Sequence, residues 1–115
     1  MSGGEGRLSL RLDLPCGRIG PGKIRLLEAI GREGSISAAG RALGMSYKRA
    51  WGLVDALNKQ LGTPVAAASP GGAKGGGAML TEAGRGLVED YRAIEGLATE
   101  AAAARLRALL RRVTP

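Results

Sequence analysis

The sequence predicts a mainly α fold with a small β component, and three observations point to it. Residues 35–51, SISAAGRALGMSYKRAW, read as a helix, a tight glycine turn and a second helix. Residues 65–80 set two short apolar segments on either side of the glycine-rich loop PGGAKGGG. From Thr81 onward, apolar residues recur at helical spacing, as expected of one long amphipathic helix. Together they describe a winged helix-turn-helix with an N-terminal strand, a glycine-rich wing hairpin and a long C-terminal helix, and residues 1–115 read as one such domain.

The elements follow in order. Residues 7–14, RLSLRLDL, alternate strictly: Leu8, Leu10, Leu12 and Leu14 fall on one face, Arg7, Ser9, Arg11 and Asp13 on the other. That period of two predicts a half-buried strand. PCGRIGPG, residues 15–22, reads as a turn, and a first helix is expected over 23–32, with Ile24, Leu27 and Ile30 inward and Gly31 and Gly34 closing it. Ser35 is placed to cap the next helix, which runs to Leu43. Counting Ile36 as the first of twenty, Gly44 stands ninth, where the turn needs a residue that tolerates positive φ.

Ser46 then caps a helix expected over 47–61, buried along Ala50, Leu53, Val54, Leu57 and Leu61. Lys48, Arg49, Asn58 and Lys59 lie mostly off that stripe, and Gly62 and Pro64 end the helix. The wing is expected over 65–80 and the last helix over 82–112, with Thr81 as its cap and Glu82 in its first turn. Leu87, Tyr91, Ile94, Ala98 and Ala101 make its stripe, continued with a shift by Leu106, Leu109 and Val113. Such a helix is about 46 Å long at 1.5 Å per residue, more than a core this small can cover. The stripe is therefore expected to pair with another chain, with Leu87, Tyr91, Ile94 and Leu97 as the dimerisation residues. The alternative is that 99–115 fray into a tail.

Composition narrows the function. Seventeen basic residues against ten acidic ones, with no histidine, give a net charge of +7, which favours a polyanionic partner. Trp51, Tyr47 and Tyr91 are the only aromatics, too few for the stacking platforms of single-strand and RNA binders. With Cys16 alone and no histidine, neither a disulfide, a zinc site nor an Fe–S cluster has its ligands, and Cys16 reads as a plain turn residue. GGAKGGG lacks the G-x-x-x-x-G-K-[ST] spacing of a nucleotide loop. No carboxylate pair or nucleophile–base pair suggests an enzyme, and no cofactor is expected. No signal-like or membrane-spanning apolar run is present, so a soluble, cytoplasmic protein is expected.

The pieces RLSLRLDL, IRLLEAIGREGSISAAGRALGMSYKRAW and GGAKGGGAMLTEAGRGL together resemble the N-terminal DNA-binding domain of ModE-type molybdate-responsive transcription regulators, from about Arg7 to Tyr91. The G-S-[IF]-[ST]-A-A portion is shared with LysR-type regulators. The lysine-bearing glycine wing and the N-terminal strand tip the choice toward the ModE type. The resemblance puts Ser46, Tyr47, Lys48 and Arg49 at the head of the recognition helix and Lys74 in the wing; with Lys59 they are the DNA-binding candidates. Lys48 and Arg49 suit phosphates or the guanine edge, Ser46 and Tyr47 phosphates or bridging waters. Trp51 reads as a partly buried packing residue rather than a base reader.

Two departures stand out. Full-length members of the resembled family carry a C-terminal molybdate-binding region, and this sequence stops after one helix, so no oxyanion site carries over. Gly40 stands mid-helix where alanine is usual, costing about 1 kcal/mol of helix propensity, and Gly52 adds a similar cost.

The expectation is a dimeric regulator that binds double-stranded DNA in a sequence-specific way, with molybdenum-related genes as the targets the resemblance implies. Two rivals stay open. One is a sensor-less partner that forms mixed dimers with a full-length ModE-type regulator. The other is a sequence-neutral nucleoid protein.

Overall fold

Two hairpins and four helices make up the computed structural model, which describes residues 6–69 and 76–113. The first hairpin pairs β1 (Leu12–Leu14) with β2 (Gly17–Ile19), antiparallel, with Leu12 opposite Ile19 and Leu14 opposite Gly17. Helices α1 (Pro21–Glu33), α2 (Ile36–Ala42) and α3 (Tyr47–Leu61) follow. The second hairpin, β3 (Ala66–Ala68) with β4 (Ala78–Leu80), is the wing, and α4 (Glu82–Val113) closes the described chain. The architecture is a winged helix-turn-helix, as the hydrophobic pattern predicts.

Local chemistry sets most of the element ends. Ser35 Oγ accepts from the Ala38 N–H at 3.0 Å, and Ser46 Oγ from the Arg49 N–H at 3.1 Å, each satisfying an orphan donor of a helix start. Gly44 has φ +70°, the left-handed turn the spacing requires. The helix-propensity cost of Gly40 has a packing counterpart. A methyl there would lie 3.1 Å from the Met45 carbonyl and 3.4 Å from Ala50 Cβ, so glycine lets α2 lie close on α3.

The N-terminal segment departs from its expected form. Of the strand expected over 7–14 only 12–14 is paired, because β2 is three residues long and offers no partner further out. Residues 15–22, expected as a turn, instead hold β2 and the start of α1, whose first residue is Pro21, where the missing N–H costs nothing. The segment before β1 runs along α4. Tyr91 Oη donates to the Leu10 carbonyl at 2.7 Å, and a Cβ at Gly6 would lie 3.6–3.7 Å from the side chains of Leu106 and Leu110.

Ile24, Leu26, Leu27 and Ile30 of α1 are fully buried against Ala39, Ala50 and Leu57 of the helix-turn-helix, with Ile19, Val65 and Tyr91 closing the core. Each such aliphatic contributes roughly 1.5–3 kcal/mol by burial. Lys23 Nζ holds Gln60 Oε1 at 2.8 Å and the Arg18 carbonyl at 3.0 Å, tying the first hairpin to the end of α3.

Arg92 pins α4 on α1. Its guanidinium meets both oxygens of Glu28, at 2.7 and 2.9 Å, and Glu95 at 2.7 Å. The hydrogen bond from Arg92 holds the Glu28 carboxyl below its ordinary value of 4.5. The pair's contribution is therefore complete above about pH 4.5 and fades as pH falls through the lower folded value. Both side chains are about one-third exposed, so Arg92→Leu is expected to cost only about 1 kcal/mol at pH 7. Thermal melts at pH 7 and in strong acid check this: the gap between wild type and variant should close in acid.

Candidate nucleic-acid interface

The outer face of α3 is built from its first turn. No acidic residue stands there, the four leading N–H groups give that end a positive dipole, and Lys48 and Arg49 add two charges. Both side chains are exposed, and neither forms an ion pair among the described residues. Ala50, Val54 and Leu57 face the core, so helical spacing turns Lys48, Gly52, Asp55 and Lys59 outward. Lys59 differs from Lys48: it is paired to Asp55 at 3.0 Å and lies about 16 Å further along the axis. Ser46 is committed through its hydroxyl to the helix cap.

Tyr47 and Trp51 lie one turn apart on the flank of α3 that faces the wing, 56% and 46% exposed. They line an open groove of about 410 Å³ with Ile36, Ser37, Val54, Asn58, Ala66–Ala68 and Ala78. Trp51, expected as a partly buried packing residue, is about half covered, with the alanine methyls of β3 across the groove from it. Asn58 Oδ1 accepts from the Val65 N–H at 2.8 Å, fixing the strand entry to α3. Arg41, which the spacing of the sequence does not single out, stands at the rim with Nη1 donating to Ser37 Oγ at 2.9 Å. The only signal for it is a basic residue in the last turn of α2, the first helix of the pair, which in DNA-binding helix-turn-helix motifs crosses the backbone. Lys74 lies outside the described residues; Gly76 and Gly77, just after it, line the same groove.

The four residues expected at a dimer contact separate. Leu87 packs on the core, and Tyr91 is 1% exposed with its hydroxyl bonded to Leu10. Tyr91 is therefore corrected to a core residue: its ring is spent inside its own subunit. Ile94 and Leu97 remain outward, 42% and 68% exposed, and Leu109 and Val113 continue the apolar exposure. Among the described residues no group of three metal-ligating side chains comes together, and no helix is long and apolar enough to cross a membrane.

A family model described as "Bacterial regulatory helix-turn-helix protein, lysR family" matches residues 22–85, from α1 through the wing to the start of α4. The molybdenum-pterin-binding protein MopB of Rhodobacter capsulatus is 50% identical over 95 residues, covering 81% of this chain and 35% of that protein. The molybdenum transport protein ModE of Azotobacter vinelandii is 44% identical over 89 residues, 77% of this chain and 33% of the relative. The DNA-binding transcriptional dual regulator ModE of Escherichia coli is 38% identical over 71 residues, 62% and 27%. The chain thus spans about a third of the length of the curated relatives it matches. Among solved structures, the CbnR DNA-binding domain in complex with DNA matches with a TM-score of 0.58 at 29% identity, over 76% of this chain and 93% of that one. Full-length CbnR on its target DNA matches with a TM-score of 0.57 at 29% identity, over 75% of this chain and 28% of that one.

Proposed function

The chain belongs to the lysR family of bacterial regulatory helix-turn-helix proteins by its helix-turn-helix and is ModE-like over most of its length, and from that premise we propose that it binds duplex DNA as a transcription regulator. One observation carries the reading: the first turn of α3 presents Lys48 and Arg49, exposed and unpaired among the described residues, in a fold whose neighbour was solved on DNA. In this reading α3 enters the major groove, Lys48 and Arg49 contact base edges or phosphates, and Arg41 and Lys74 grip the flanking backbone. Lys59, tied to Asp55, contributes field rather than a direct contact. No catalytic role enters: the relatives bear the names of regulators and molybdenum-related proteins.

Molybdenum-related genes are the targets we propose, on the strength of the identity to MopB and ModE. Fluorescence anisotropy tests both parts, using a palindromic duplex from a molybdate-transport promoter and a scrambled control, at low and high salt, with and without molybdate. The expected result is a preference of about a hundredfold or more for the palindrome, unchanged by molybdate. Equal, salt-sensitive binding to both duplexes would reduce the protein to a general DNA binder.

We also propose that two copies pair through the exposed face of α4 around Ile94 and Leu97. The helix gives the molecule its 53 Å long axis, and these residues leave apolar area uncovered on it. Leu97→Asp should yield a folded monomer by sedimentation, since the side chain touches little within its own subunit, and should weaken operator binding by about tenfold or more because the two heads no longer bind as one unit. A mixed dimer with a full-length ModE-type regulator would use the same face, and co-purification tests for it. A DNA-bound regulator acts in the cytoplasm.

A further inference from the structure

We infer that the groove between α3 and the wing reads thymine, with Trp51 and Tyr47 taking the C5-methyl groups of the operator. The inference rests on the DNA-binding reading above and names what one part of that surface recognises.

Two of the chain's three aromatic residues are half exposed, and both lie on the helix proposed to enter the major groove; the third, Tyr91, is buried. Tyr47 and Trp51 stand four residues apart on one flank and share one groove with the alanine methyls of β3. Two acceptor oxygens along that groove are already engaged: Ser37 Oγ by Arg41, and Asn58 Oδ1 by the Val65 N–H. The two rings and the alanine methyls give this surface apolar area beside its remaining donors. The occupant is set by what surrounds it. Lys48 follows Tyr47 directly, Arg41 stands at the rim, and the chain carries +7, so the partner is a polyanion. In the major groove of duplex DNA, the one apolar group that any base pair presents is the thymine methyl. Two half-exposed rings and the alanine methyls of β3, next to the cations of the same helix head, therefore select thymine.

The test leaves the protein unaltered in its first arm. The duplex preferred by the wild-type protein is obtained by in vitro selection, and each thymine is then replaced in turn by deoxyuridine, which removes only the methyl. One or two thymines in each half-site should show a loss of about three- to fivefold, the worth of one buried methyl. Trp51→Ala or Tyr47→Ala should abolish the thymine–uracil difference at those positions. Lys48→Ala should weaken thymine and uracil duplexes by the same factor. Circular-dichroism melts confirm that the variants fold, which the exposure of both rings favours.

The inference falls if no thymine shows a uracil penalty, if the penalty survives both aromatic substitutions, or if the selected half-sites contain no thymine. A selection that enriches no duplex at all overturns the regulator reading itself, and this inference with it.

Discussion

Lys48→Ala with Arg49→Ala should remove operator binding while leaving the thermal melt where it was. Each charged contact to a base edge or phosphate contributes roughly 1–3 kcal/mol, so removing both should weaken specific binding by about a hundredfold or more. The fold has no stake in either side chain: both are exposed, and among the described residues neither holds an ion pair. The helix start depends on the Arg49 backbone N–H and the Ser46 hydroxyl, which the substitutions leave in place. Anisotropy and circular dichroism on the same preparation check both halves. Unchanged affinity would remove α3 from the interface. The slope of affinity against salt should also fall, by about one unit for each phosphate that the variant no longer neutralises.

The second large effect concerns stability. Gly84→Ala should destabilise the protein by about 3 kcal/mol, near the upper end for overpacking, and lower its melting temperature by roughly 10–20 °C. Gly84 is the third residue of α4 and is buried. A methyl there would overlap the carbonyl oxygen of Val65. That carbonyl cannot retreat, since it accepts from the Thr81 N–H at 3.0 Å and its own residue's N–H is held by Asn58 at 2.8 Å. Thr81 adds a second tie, donating to the Pro64 carbonyl at 2.7 Å while its oxygen caps the Gly84 N–H at 3.1 Å. Relief requires α4 to move away from the link that joins it to the recognition helix. Gly86→Ala on the same helix is the control: its methyl meets nothing within 4 Å, and helix propensity should then add up to about 1 kcal/mol. Equal melts for the two variants would show that a methyl fits between α4 and Val65.

What can be read from the sequence is local. Ser35, Ser46 and Thr81 cap their helices because a hydroxyl needs only the N–H three residues on, and Gly44 and Gly62 adopt positive φ within a single turn. The stripe of α3 tells its inner face from its outer one for the same reason. Contacts made at long range leave no local trace. The alternation of Arg7 to Leu14 reads as one long strand, but only Leu12–Leu14 find a strand partner, and before them the Leu10 carbonyl is taken by Tyr91 of α4. Tyr91 stands on a stripe whose members all look alike. It goes inward because Leu10, 81 residues away, supplies its hydroxyl partner, while Ile94 and Leu97 a turn further on stay outside. Glu28 and Arg92, 64 residues apart, carry no mark of their pairing. Trp51 is about half covered, as expected, but nothing in its own neighbourhood says that alanine methyls stand across the groove from it.

The segment from Gly6 to Leu10, laid along α4, joins the two most distant described parts of the chain. The helix-turn-helix closes through contacts between elements adjacent in sequence, whereas the Tyr91–Leu10 hydrogen bond spans 81 residues. Loop closure over that span carries a large entropic cost and is met late, after a compact unit exists to receive it. Folding should then run in two stages, with α1 to α3 condensing first and the N-terminal segment docking last. During synthesis that segment is made before α4 and keeps its backbone groups on water until α4 has left the ribosome.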